Sequence, residues 1–277
     1  MLTLHDEGDA TANTYTVTDT SVSRGALKIN YGTIETLNLN AGTGADTINV
    51  TTTATSVNTN IATTAGGDTV TVTATGANSN VTITGDAGAN TITLTTTGAN
   101  SVTVVSAGAG ADTLTQNGSG ANSGVQWSGE ADADAIRIGA SGSGSVTVAG
   151  GGDGNDTIDV GNGSNSLDDL AGVICVDGDA NLAAPTSTLS ASCDGTTISN
   201  TLAVGDVLTI HDEGDSDANA YTLTDTLLTR GTVKIDYGTI ETLNLNAGTG
   251  TDTIDVTTTA ASVNTNIATT AGGDTVT

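Results

Sequence analysis

The chain has 277 residues, 37 of them Gly, with a single Pro, no Phe and 2% aromatic residues. Thirty-one Asp and Glu face five Lys and Arg, a formal net charge of −26 that sets the chain against nucleic acid and anionic membrane surfaces. No apolar run approaches the roughly 18 residues that span a bilayer, so membrane insertion is not expected.

Such a composition suits either disorder or a regular fold with a thin core of small aliphatic side chains, and periodicity decides between them. The first segment, residues 2–37, contains His5-Asp6-Glu7-Gly8-Asp9 and Tyr31-Gly32 and reads as about two laps with a lengthened loop. Its acidic residues Asp6, Glu7 and Asp9, copied as Asp212, Glu213 and Asp215, read as a solvated loop, with a bound ion as the alternative.

From about residue 37 to 160 the chain becomes regular. A motif Gly-x-Asp-Thr-(Ile/Val)-x-Val places its Asp or Asn at Asp46, Asp68, Asn90, Asp112, Asp134 and Asp156, in equal 22-residue steps. Apolar residues follow two and four positions on, as in Ile48 and Val50 or Ile92 and Leu94. This alternation is a strand with one buried face. Turn glycines recur at Gly76, Gly98, Gly120 and Gly142, and a second alternating stretch follows, such as Val125-Gln126-Trp127 with Trp127 inward. The pattern predicts an all-β chain: a parallel β-solenoid, or β-helix, with about 22 residues per coil and one irregular insertion. Each coil holds two or three short strands and rises about 4.8 Å.

The insertion falls at 177–206 and holds Pro185 and Cys193. Cys175 and Cys193 bracket its start. An even count favours a disulfide, worth about 3 kcal/mol in the chain-entropy model, over two separate thiols. Residues 207–277 then repeat residues 1–71, identical at 56 of 71 positions, with the motif recurring at Asp252 and Asp274. The chain therefore divides into coils at 1–176, the insertion at 177–206, and the start of a second copy of a 206-residue unit at 207–277. A unit advances roughly 40 Å along the axis. The expected partners are copies of itself, end to end or in a covalent tandem array.

Two resemblances bear on the turns and on the unit. Gly151-Gly152-Asp153-Gly154-Asn155-Asp156-Thr157-Ile158-Asp159 is similar to the nonapeptide of the calcium-binding repeats-in-toxin, haemolysin-type β-rolls. Ala41–Asn49 and Ala107–Thr115 lack only its first Gly. The resemblance implies Ca²⁺ between stacked turns, with Asp46, Asp68, Asn90, Asp112, Asp134, Asp156, Asp252 and Asp274 as ligands and the fullest site at Asp153 and Asp156. Stacked carboxylates repel by roughly 1–4 kcal/mol, which a hard cation removes. The alternative is that these side chains hydrogen-bond within their own turns. Leu208–Asp215, Tyr237–Val256 and Ser166–Asp177 resemble repeats of very large secreted proteins of planctomycetes and cyanobacteria, which implies a secreted or cell-surface location.

Function follows from these readings as three expectations. The first is a structural extracellular rod or filament of an adhesin, sheath or surface layer. The second is an adhesive face: Thr47, Thr69, Thr91 and Thr113 form an outward ladder that resembles ice-binding solenoids, as does the turn Gly42-Thr43-Gly44. The least favoured is a polysaccharide-active enzyme, because one Trp, four Tyr and five cations are few for a sugar cleft.

Overall fold

The computed structural model describes residues 1–178, 187–193, 196–202 and 205–277, and the side chains of 1–178 and 205–277. In chain order the first strands are β1 (Leu2–His5), β2 (Thr14–Val17), β3 (Ser21–Arg24), β4 (Leu27–Asn30), β5 (Thr36–Asn40) and β6 (Thr47–Val50). The regular laps continue with β7 (Asn58–Ala62), β8 (Thr69–Val72), β9 (Asn80–Asp86), β10 (Thr91–Leu94), β11 (Val102–Ala109) and β12 (Thr113–Gln116). Next come β13 (Gly124–Ala131), β14 (Ala135–Ile138), β15 (Val146–Asp153), β16 (Thr157–Val160) and β17 (Val173–Asp177). The excursion holds β18 (Ser187–Cys193) and β19 (Thr196–Leu202). The second copy supplies β20 (Val207–His211), β21 (Ala220–Leu223), β22 (Leu227–Arg230), β23 (Val233–Gly238), β24 (Thr242–Asn246), β25 (Thr253–Val256), β26 (Asn264–Ala268) and β27 (Thr275–Val276).

The architecture is a parallel β-solenoid of two facing sheets, one of 13 strands and one of 12, with two strands to a lap. Parallel neighbours keep the constant offset of the motif, as in Thr47↔Thr69↔Thr91↔Thr113 and Asn58↔Asn80↔Val102. The alternating side chains dictate this arrangement: Ile48, Val50, Ile92, Leu94, Ile136 and Ile158 of one sheet are buried against Leu37, Leu39, Ile61, Ile83, Val105 and Trp127 of the other. Trp127 is buried, as its inward position predicts, and its neighbour across the ladder is the small Ala149. Gln116 also points inward, a polar residue in the core row. Its amide accepts from the Trp127 indole at 3.1 Å and donates to the Ala140 carbonyl at 2.9 Å.

One corner stacks the glycines at 76, 98, 120 and 142. A Cβ on any of them would collide with the backbone of the lap before. The left-handed residue at this corner lies two positions on, at Asn78, Asn100 and Asn122, with φ of 53–54°. The corner is stitched by hydroxyls, each Gly N–H donating to the hydroxyl of Thr53, Thr75, Thr97 or Ser119 one lap back at 2.8–3.1 Å.

Three irregularities interrupt the laps, and the first two differ from the sequence-based expectation. Leu2 pairs directly with Leu37, so residues 2–37 form one long lap rather than two. Their surplus is a meander in which β3 and β4 turn back antiparallel on β2 and add two strands to its sheet. A second interruption, residues 161–172, lies before the predicted insertion and lengthens its lap, so that Val146 pairs with Val173 rather than with Asp168. Within 177–206, β18 and β19 pair only with each other, antiparallel, apart from the stack.

The second copy continues both sheets of the first. β20 pairs with β16, and β23 pairs with β17. Between β1 and its copy β20 the chain changes sheet fifteen times, an odd number. β1 and β5 therefore lie in the larger sheet, whereas their copies β20 and β24 lie in the smaller one. A repeat spans seven and a half laps, and its two sheets exchange roles from one copy to the next.

Candidate functional site

The motif residues of the first copy, Asp46 to Asp156, form one continuous buried ladder at the corner before the smaller sheet, whereas Asp252 and Asp274 precede β25 and β27 of the larger sheet and form a separate pair. Asp46, Asp68, Asn90, Asp112, Asp134, Asp156 and Asp252 are at most 3% exposed. Each Oδ1 accepts the backbone N–H of the corresponding residue one lap earlier. The bonds run Asp46 N to Asp68 at 2.6 Å, Asp68 N to Asn90 at 2.8 Å and Asn90 N to Asp112 at 2.6 Å. They continue from Asp112 N to Asp134 and from Asp134 N to Asp156, both at 2.8 Å. Asp206, which the motif does not mark, takes the next place and accepts from Asp156 N at 2.6 Å. In the second copy Asp252 N donates to the half-buried Asp274 at 2.9 Å. The Oδ1 atoms thus bond to the neighbouring lap, while Asp46 also reaches its own turn through Oδ2. They satisfy donors at a corner where the ladder of strand hydrogen bonds stops.

The second carboxylate oxygens differ from lap to lap. Asp46 Oδ2 accepts Gly42 N–H at 2.9 Å, whereas the buried Oδ2 atoms of Asp112, Asp134 and Asp252 have no hydrogen-bond donor. Asn90 shows what this position faces, because its Nδ2 donates to the Ala107 carbonyl at 3.1 Å. The equivalent carbonyl for Asp134 belongs to Gly151, and a Cβ on Gly129 would collide with both that oxygen and Asp134 Oδ2. Two acceptors, Asp134 Oδ2 and the Gly151 carbonyl oxygen, therefore face one spot. Burial pushes the Asp112 carboxyl up to about 6, helped by Asp86, Asp132 and Glu130. Burial likewise pushes Asp134 up to about 7, helped by Asp112, Asp156 and Asp132.

Asp153, at the end of β15, is exposed and apart from this buried row. Among the described residues no three His, Cys, Asp or Glu side chains converge as a metal-holding group. Cys175 is a half-buried free thiol on the outer face of β17, beside Val148 and Asp236, and burial raises its pKa. The side chain of its expected partner Cys193 lies outside the described residues.

A second cluster was invisible to periodicity. The acidic loop of the second copy is not solvated: Asp212 is fully buried and pairs with Arg230 Nε at 2.8 Å, and Arg230 also pairs with Asp215. Tyr221 donates its hydroxyl to Asp212 at 2.5 Å. Segment 161–172 closes over this cluster. Leu167 N–H donates to Asp212 Oδ1 at 2.8 Å, and Asp168 pairs with Arg230 at 2.7 Å. In the first copy Arg24 pairs with Asp6 and, at 2.9 Å, with Asp9, but the cluster remains partly exposed. The signal in the sequence is an Arg that recurs in both copies among so few cations.

The outward faces carry further ladders. Thr47, Thr69, Thr91 and Thr113 stand in register, as expected, until Ala135 interrupts them. On the other sheet Asn60 donates its amide to Asn38 at 2.7 Å, and Asn80 donates to Asn58 at 3.0 Å. Arg137, at an outward position beside Asp159, donates to the Asn162 carbonyl at 2.7 Å.

No family model, curated protein or solved structure matches the chain.

Proposed function

We propose that the chain is a section of a secreted structural rod, built from tandem 206-residue copies and belonging to an adhesin, sheath or surface layer. The observation that carries this reading is the junction, where the second copy extends both sheets of the first by ordinary parallel pairing. A solenoid whose copies stack in this way has no intrinsic length limit and contacts only its neighbours. Electron microscopy of arrays with different copy number tests it. Rods should lengthen by about 36 Å per copy, seven and a half laps at the interstrand spacing of about 4.8 Å. Particles that grow in all directions would sink the proposal.

An adhesive or ice-binding face is a second reading, supported by the flat, registered Thr47–Thr113 ladder. Thermal hysteresis that vanishes in a Thr69→Val, Thr91→Val variant would favour it over the bare rod. Absence of hysteresis would remove it.

Calcium enters the proposal as a stabiliser. What supports it is the uncommitted second oxygen of Asp112, Asp134 and Asp252, beside the Gly151 carbonyl in the case of Asp134, in a chain of net charge −26. Melting at pH 8 with Ca²⁺ and with excess EDTA decides the matter. Equal curves mean that hydrogen bonds and protons alone hold the ladder.

A further inference from the structure

We propose that the N-terminal end of the stack is an open socket for residues 161–177 of a further copy of this chain. The inference rests on the tandem-rod reading and supplies the joint between copies.

At the internal junction the occupant is visible. Leu167 and Leu170 are buried against the second copy, and Asn165 bonds twice to its acidic loop. Its carbonyl accepts Gly214 N–H at 2.8 Å, and its amide donates to Glu213 at 2.9 Å. Asp168 reaches Arg230, Leu167 N–H reaches Asp212, and β17 pairs along β23 from Val173 to Asp177.

Every one of these partners is repeated at the start of the chain, as Asp6, Glu7, Gly8 and Arg24. There Asp6 and Arg24 line an open groove of about 400 Å³ that includes Leu4, Tyr15, Leu27 and Ile29. Leu27 is 55% exposed, whereas its copy Val233 is 3% exposed. β4 ends at Asn30, whereas its copy β23 runs through Tyr237 to Gly238 because β17 lies along it.

An independent sign is Gly8. Nothing lies within 4 Å of a Cβ built there, so the first copy gives no reason for a glycine. At Gly214 a Cβ would collide with the Ser164 carbonyl oxygen of the occupant. Gly8 is thus shaped for a neighbour.

The test is a chain extended at its N-terminus by one more copy of residues 1–206. Amide exchange of residues 27–32 should slow at least about tenfold relative to the 277-residue chain, approaching that of 233–238. Gly8→Val in the extended chain should abolish that protection, as Gly214→Val should loosen 233–238. Unchanged exchange at 27–32, or protection indifferent to Gly8→Val, overturns the socket. Small-angle scattering on the same sample separates the two readings. A longer rod with 27–32 unprotected sinks the socket alone, and a chain that does not lengthen sinks the rod reading as well.

Discussion

Asp134 and Asn90 occupy equivalent places in the ladder, yet only the amide of Asn90 completes its hydrogen bonds. Burial lifts Asp112 to about 6 and Asp134 to about 7. Their stabilising contribution is therefore full below the ordinary carboxylate value near 4 and is lost as pH rises through 6 to 7. The thermal midpoint should fall across that window in metal-free buffer. Asp134→Asn keeps the Oδ1 acceptor and adds a donor toward Gly151. At pH 8 it should stabilise by about 1–3 kcal/mol, the cost of a buried unsatisfied polar group, and at pH 4 by little. Chemical denaturation at both pH values checks this, and a destabilised variant at pH 8 would point to a cation in place of the proton. Glu130 offers a second test. Its φ of 80° falls at the lap position held by Gly108 and Gly152. Glu130→Gly should raise stability by roughly 1 kcal/mol through relieved backbone strain.

Strands of four residues with two inward side chains in the smaller sheet, facing strands with two or three in the larger, build a core only a few residues wide, so size must be matched between neighbouring laps. Trp127 is accommodated because Ala149 lies beside it and Gln116 accepts its N–H. Ala149→Leu should therefore cost about 1–3 kcal/mol by overpacking, measured in urea, while a like change at an outward position such as Thr69 should cost far less. The period of two makes these inward rows legible in the sequence, including Trp127. Gln116 is not legible, because a polar residue in a core row is explained only by the indole it meets. The β3–β4 meander reads as a second lap for a related reason: alternation marks strands but does not say whether a strand runs parallel or turns back. The Asp6–Arg24 and Asp212–Arg230 pairs are hidden because the meander separates their members along the chain, and only folding back brings them together.

Seven and a half laps per copy have a consequence for the rod. The first copy places nine strands in one sheet and eight in the other, with the surplus coming from β3 and β4. The next copy adds its surplus to the opposite sheet through β22 and β23. Two successive copies thus equalise the sheets, which cancels any bend that one copy introduces. A surface feature should also alternate sides. Probes attached at Asn60 and at its copy Asn266 should lie on opposite faces, because β7 and β26 belong to different sheets. Gold labelling in electron microscopy of an array should show two rows offset by one copy length, about 36 Å. A single row would contradict the exchange.

The sequence by itself determined the lap. A 22-residue period with alternating apolar residues admits one economical solution, a parallel stack with fixed register, because a slip of one residue would turn every inward side chain outward. It also determined the length of the repeating unit. Only the tertiary structure decided how that repeat falls on the stack. Whether one unit makes a whole or a half-integral number of laps depends on how the irregular segments 18–35, 161–172 and 177–206 are spent between meander, wedge and excursion. Those segments lack the period, so their placement follows from long-range contacts such as Leu167 with Asp212, which no local pattern encodes.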